Sequence, residues 1–300
     1  MAIKKLPSTG DAPRSTGVPE SLVPGGAGDS AGFPWEGRTF DHHGTAFADD
    51  AGDTPAALAA AVAGLRAAAS AAGAATSADA HWAAVAEIAE AHAAVIAALG
   101  ECRVLVPMLA EAGDLGVTPE GKTVEKTQEL SIVTVAAPDG RRVLPVFSSV
   151  DTLARWHPEA RPIPVPATQA ALAAVQELTD LMIIDAATPE AEYGVRRPAL
   201  RALALGERYV PAWADEEVLA AFRAAVAGNP AVSDLWLSPG DPEGRLLAPE
   251  VDVNLAIVPG LARDELAELL QRAQTHWARS EVIAERVDSM RVRPIAQPAN

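Results

Sequence analysis

The sequence predicts an α/β (α+β) protein, and three observations carry that prediction. Residues 102–149 hold three β-rich runs in which Ile132, Val133, Val135, Val143 and Val146 supply the β-branched side chains that strands favour. The preceding Ala-rich stretch repeats its larger apolar residues at helical spacing, and the stretch that follows alternates helix and strand. These patterns predict a tail over residues 1–32 and a domain over 33–212, with a mixed sheet and an Ala-rich helical hairpin. A smaller C-terminal α+β domain is predicted over 213–300.

The elements follow in order. Residues 1–32 are rich in Gly, Pro and Ser without apolar periodicity, which predicts a disordered tail. Phe33–Arg38 adds an aromatic pair beside a proline, suited to pinning that tail to the body. Asp53-Thr54-Pro55 predicts a helix start with a capping side chain and Pro in the first turn. Leu58, Val62 and Leu65 then mark one helix face, and Gly73 with Thr76-Ser77 ends it. A second helix from near Asp79 carries Trp82, Val85, Ile88, Val95 and Leu99 and closes at Gly100. Pro138-Asp139-Gly140 predicts a hairpin turn between two strands.

Beyond Ser148 and Ser149 a short helix is expected at Asp151–Trp156. Arg161–Pro166 must be extended and cannot be central in a sheet, because each proline lacks a ladder donor. A helix from about Thr168 to Leu178 precedes the buried strand Leu181–Ile184, and Arg197-Pro198 opens another helix through Leu205. The last third reads helix, strand, strand, helix, strand, which is half of a ferredoxin-like sandwich.

Composition bounds the function. Forty acidic against 24 basic residues give a net charge of −16, a field that repels phosphate backbones and argues against nucleic-acid and anionic-membrane partners. The single cysteine, Cys102, rules out an internal disulfide and fits a reducing cytoplasm as a buried structural residue. Met1–Pro7 has basic residues without a following apolar run, so no signal peptide is expected, and Arg66 interrupts the Ala run after Pro55. A cytoplasmic protein without membrane spans is the expectation.

Val104–Pro107, Glu125-Lys126, Asp139-Gly140-Arg141, Leu144–Ser148 and Leu181–Asp185, in that order and spacing, resemble the SseB family, named for enhanced serine sensitivity. Pro34–Arg38 and Asp49–Asp53 resemble the longer actinobacterial members, so the likeness covers most of residues 33–300 and is strongest over 103–205. Where many members have Asn-Pro after the apolar strand, this chain has Asp185-Ala186. The resemblance implies an α/β N-terminal domain followed by a distinct C-terminal one. It carries over no catalytic residues and no reaction, and it implies a regulatory tie to serine or amino-acid metabolism.

The residues themselves offer few reactive groups. Asp41-His42-His43 matches the letters of a phosphoesterase motif but lies in a Gly-rich stretch, ahead of the strands that would bring further ligands. His81 and His92 stand eleven apart, too far along one helix to share a metal. Ser148, Ser149 and Asp151 read as helix capping. Asp185 is the strongest candidate, since α/β folds place ligands at the carboxyl ends of strands, and Arg196 and Arg197 follow closely in sequence. The expected site is therefore a ligand- or partner-binding corner at Asp185, Arg196 and Arg197, without catalytic residues, metal or cofactor. The expected function is non-catalytic binding of a protein partner or small metabolite. A hydrolase or transferase with carboxylate chemistry near Asp185 is the alternative.

Overall fold

The computed structural model describes Phe47 and residues 49–112, 115–117, 123–125, 128–132, 134–137 and 139–296. The predicted tail over 1–32, the Phe33–Arg38 segment and the Asp41-His42-His43 triplet lie outside the described residues. Two Ala-rich helices come first, α1 (Ala56–Ala74) and α2 (Ala78–Gly100). Alanine keeps them closely apposed, while Leu58, Val62 and Leu65 of α1 meet Val85, Ile88, Val95 and Leu99 of α2 in the core. Ser77 caps α2 through the Ala80 N–H at 3.2 Å.

Two details differ from expectation. Neither Asp53 nor Thr54 caps α1: Pro55 is the N-cap, and the Thr54 hydroxyl bonds the Ser148 hydroxyl at 2.8 Å. Trp82 is exposed, stacking edge-on against His81 at the start of α2, where the facing end of α1 has only small side chains to offer.

By length and composition both helices could cross a membrane. Apart from Trp82, their larger apolar side chains instead fill the interior, and the Arg66 guanidinium reaches the backbone carbonyls of Glu192 and Glu243.

The next strands are β1 (Arg103–Ala112), β2 (Leu115–Val117), β3 (Thr123–Glu125) and β4 (Gln128–Ile132). The short strands β5 (Val135–Ala136) and β6 (Arg142–Val146) form the predicted hairpin, with Gly140 at φ +85° closing its turn. Helix α3 (Val150–Trp156), strand β7 (Arg161–Pro166) and helix α4 (Ala167–Gln176) follow, then β8 (Leu181–Ile184), β9 (Tyr193–Val195) and α5 (Arg197–Leu205). One sheet has the order β4-β1-β7 and a mixed one β5-β6-β8-β9, in which β6 and β8 run parallel.

Prolines 162, 164 and 166 explain the place of β7. Their period-two spacing puts all three missing donors on one side of the strand. Arg161, Ile163 and Val165 keep their N–H groups for β1, and the other edge is left unable to recruit a further strand.

Helix α6 (Glu216–Ala224), strands β10 (Val232–Pro239) and β11 (Val251–Ile257), helices α7 (Arg263–Trp277) and α8 (Glu281–Arg286) and strand β12 (Met290–Ala296) complete the chain. They build the sheet β10-β11-β12, antiparallel then parallel. Every residue of β11 is buried, as its position as the central strand requires. Trp277 stacks edge-on to Phe222 at 5.2 Å and donates its indole N–H to the Phe222 carbonyl at 3.0 Å. From Asp50 onward the described residues form one compact unit whose apolar core runs from Leu58 to Val287. The class is α+β with mixed sheets, as the sequence predicts.

Candidate functional site

The three residues singled out from sequence occupy three different settings. Asp185 follows the last residue of β8 and turns the chain at φ +52°, a conformation Asp tolerates better than most residues. It is 2% exposed. Its Oδ1 accepts the Ser148 N–H at 2.7 Å and the Thr152 hydroxyl at 2.6 Å, and its Oδ2 accepts the Ser148 hydroxyl at 2.6 Å. Ser149 caps α3 in a capping box with Thr152, as expected of it. Ser148 does something else, tying Asp185 to Thr54 at the entry of α1.

Arg103 completes this corner from the start of β1. Its Nε and Nη2 grip Asp50 at 2.5 and 2.9 Å, Nη2 also meets the Asp53 carbonyl at 2.7 Å, and Nη1 donates to the Ser148 carbonyl. The bond from Arg103, followed by that from the Gly52 N–H, holds the Asp50 carboxyl below its ordinary range against the opposing effect of burial.

Arg196 follows β9 as the N-cap of α5 and bonds Asp241, in the loop after β10, and Asp288, just before β12. Burial opposes its charge, but the two aspartates outweigh burial and raise its pKa. Arg197 opens α5 and donates to the Ala284 carbonyl of α8 at 2.7 Å. Asp185, Arg196 and Arg197 thus have no partner in common.

Arg197 lines a groove of about 660 Å³ between α4, α5 and α8. Leu172 and Val175 of α4, Leu178 just past it and Leu205 of α5 expose their aliphatic side chains there. Leu178 is 75% exposed and sits at φ +54°. It is the residue after the C-cap in a complete Schellman motif, with its N–H on the Val175 carbonyl and the Thr179 N–H on the Ala174 carbonyl. Glycine is the residue this position favours, so the leucine is held against local preference. The groove carries Arg197 and Arg201 as cations and Asp180 and Glu285 as anions, and Asp180 accepts the Arg142 N–H at 2.8 Å.

Residues 79–202 match the family described as SseB protein N-terminal domain. Over that stretch the chain is similar to an SseB N-terminal domain. No curated protein and no solved structure matches it.

The SseB match spans α2 through most of α5 and takes in the Asp185 corner, Arg196, Arg197 and two walls of the groove. The third wall, α8, lies beyond it. Sequence reading names Arg197 but misses the groove, because the exposed leucines read as the continued apolar face of α4. The signal available was Leu178 followed by a polar Thr179-Asp180 pair, at a helix end without glycine. His92, expected to be a plain helix-face residue, is buried and bonds the Tyr193 hydroxyl at 3.0 Å and the Pro242 carbonyl at 3.2 Å. Burial, first, lowers its pKa to about 4, which keeps it neutral. Among the described residues no group of three or more His, Cys, Asp or Glu is placed to hold a metal ion.

Proposed function

We propose that this SseB-domain protein is a non-catalytic, cytoplasmic binding and regulatory protein whose partner lays an amphipathic helix into the groove between α4, α5 and α8. One observation carries the reading: Leu178 is both strained and 75% exposed on the groove's rim. A leucine in the left-handed region costs on the order of 1 kcal/mol over glycine, and exposing it to water recovers none of that. Contact with another apolar surface supplies the missing return. Leu172, Val175 and Leu205 extend the patch, and a helix with apolar residues at i, i+3/i+4 and i+7 suits a trough walled by helices. Arg201 has no ion-pair partner among the described residues, which favours a partner helix carrying a carboxylate on its flank. The family's name supports placing that partner in serine or amino-acid metabolism.

The enzyme alternative is weakened by Asp185 itself. Both its oxygens are engaged by short hydrogen bonds and it is almost wholly buried, so a substrate has little access to it in the ground state. The test is a photo-crosslinking side chain at position 178 or 205 in cells, followed by reconstitution with the identified partner. Leu178→Asp and Leu205→Asp are expected to weaken the reconstituted complex at least tenfold while the melting temperature holds. Unchanged affinity in both variants would remove the groove from consideration.

A further inference from the structure

The two faces of the C-terminal sheet differ in character. Leu235, Leu237, Val251, Val253 and Leu255 lie on one, and all are buried in the apolar core. On the other face the register sets Trp236 of β10, Asn254 of β11 and Arg293 of β12 side by side in one row. Ser238, Asp252 and Arg291 form the row beside it. Solvent reaches this second face. Trp236 is half-buried, Ile295 is 38% exposed, and the Arg291 and Arg293 side chains are 49% and 55% exposed.

Asp252 is the one carboxylate in these two rows, and it is buried. Arg291 grips it with Nε and Nη2 at 2.8 and 2.9 Å, a bidentate pair that already balances its charge. Arg293 adds its Nη1 to the same carboxylate at 2.9 Å. Two guanidiniums therefore share one carboxylate, and the face holds one positive charge in excess on a chain of net charge −16. Nη1 of Arg291 and Nε and Nη2 of Arg293 have no acceptor among the described residues. Asp234 does not supply one: it stands in the next row, two strands away from β12, and pairs with Arg223 of α6 at 3.4 Å.

We propose that this face is a second docking surface, and that its partner is a protein segment carrying a carboxylate beside an apolar side chain. The carboxylate takes the free N–H groups of Arg291 and Arg293, and the apolar side chain covers Trp236. Charge complementarity selects that chemistry. A guanidinium fork with unused donors matches a planar carboxylate. The charge of −16 repels the long phosphate arrays of nucleic acid and anionic membranes, while a single carboxylate feels mainly the arginines next to it. The segment lies across the face instead of adding a strand at its edge. Val251 donates its N–H to the Ser289 carbonyl, so Ser289, Arg291, Arg293 and Ile295 turn their backbone groups to β11. The open edge of β12 is left to Met290, Val292, Pro294 and Ala296, and Pro294 has no N–H to offer a further strand. None of these residues lines the groove between α4, α5 and α8, so the two surfaces are tested separately.

The probe is a fluorescent peptide of repeating Glu-Ser-Leu-Ser, which sets acidic and apolar side chains on one face of an extended chain, beside its counterpart with Gln for Glu. Anisotropy with the full-length protein should show the Glu peptide bound and released by salt, and the Gln peptide about tenfold weaker, the scale of one charge-assisted hydrogen bond. Arg293→Gln and Trp236→Ala should each weaken the Glu peptide by a similar factor, with Trp236→Gln in reserve should the alanine variant fail to fold. The melting temperature should hold in Arg293→Gln, because Arg291 still satisfies Asp252, and fall in Arg291→Gln. No binding of the Glu peptide, equal binding of both peptides, or an affinity that ignores either Arg293→Gln or the Trp236 variant would overturn the proposal. So would a melting temperature that falls as far in Arg293→Gln as in Arg291→Gln, since both arginines would then serve only to neutralise Asp252. Duplex DNA or phosphatidylserine vesicles bound through Arg293 in preference to the Glu peptide, or a dimer that Arg293→Gln dissolves, would equally reject an acidic partner segment.

Discussion

The Ser148 hydroxyl and the Asp185 carboxylate meet at 2.6 Å in the interior, although 37 positions separate them in the chain. Their bond joins the end of β6 to the end of β8, and through Thr54 it reaches the entry of α1. Asp185 is therefore the acceptor on which a corner of three elements closes. Removing it strands the Ser148 N–H in a buried site and leaves the Ser148 and Thr152 hydroxyls only their bonds to Thr54 and Ser149. Asp185→Ala is expected to lower stability by about 3 kcal/mol, the scale of losing hydrogen bonds to a charged acceptor. Asp185→Asn, which keeps one acceptor oxygen and tolerates the positive φ, should lose roughly half as much. Chemical denaturation of the three proteins decides it, and a wild-type midpoint for Asp185→Ala would contradict the corner's role.

Arg103 presents its planar fork to one carboxylate and two carbonyls at once. A lysine cannot reproduce that geometry. Arg103→Lys should detach the stretch around Asp50–Asp53 from the body and expose it to protease, while α1 and the sheets persist. Cleavage mapped by mass spectrometry to that stretch, faster than in the wild type, is the expected reading. An unchanged cleavage rate would show that the remaining bonds suffice.

Both the helical hairpin and the strand hairpin at Gly140 were legible in the sequence, because each rests on local rules: helical spacing of Leu58, Val62 and Leu65, and a turn residue that accepts positive φ. The end of β8 at Asp185 and the start of α5 at Arg197 were legible for the same reason. What local rules cannot show is which distant polar groups meet. Asp185 was expected at a ligand- or partner-binding corner and is buried, since its donors come from Ser148 and Thr152 on another element. Arg196 and Arg197 are adjacent in sequence yet diverge, one to Asp241 after β10 and one to α8, because the first is the extended N-cap of α5 and the second is its first helical residue. Strand β9 and helix α8 went unpredicted: the first is three residues long, and the second is six with little apolar periodicity.

Leu178 separates a stability role from a binding role. Leu178→Gly removes the left-handed strain at φ +54° and gives up almost no buried contact, since the side chain is mostly in water. Stability should rise by about 1 kcal/mol, the difference between glycine and another residue at such a position. Partner affinity should fall in the same variant. A stabilised protein with full affinity would show that the leucine contributes nothing to recognition.

The buried pair Glu250 and His92 predicts opposing pH dependences within one cavity. Glu250 has a folded pKa that burial, first, raises to about 7 from 4.5, so its favourable contribution is complete below 4.5 and is lost as pH rises through about 7. His92 has a folded pKa lowered to about 4 from 6.5, so its contribution is complete above 6.5 and is lost as pH falls through about 4. Between 4.5 and 6.5 the two slopes act against each other, and the wild type shows only their difference. Glu250→Gln takes away the falling branch and leaves the His92 branch, so its stability relative to the wild type should grow steadily as pH rises towards 7 and then level off. Denaturation midpoints of the two proteins at matched pH values measure that difference directly, with the other carboxylates cancelling in the comparison. A stability difference that stays constant across the range would mean that Glu250 has the same proton affinity folded and unfolded, and that its burial is compensated by Arg196 after all.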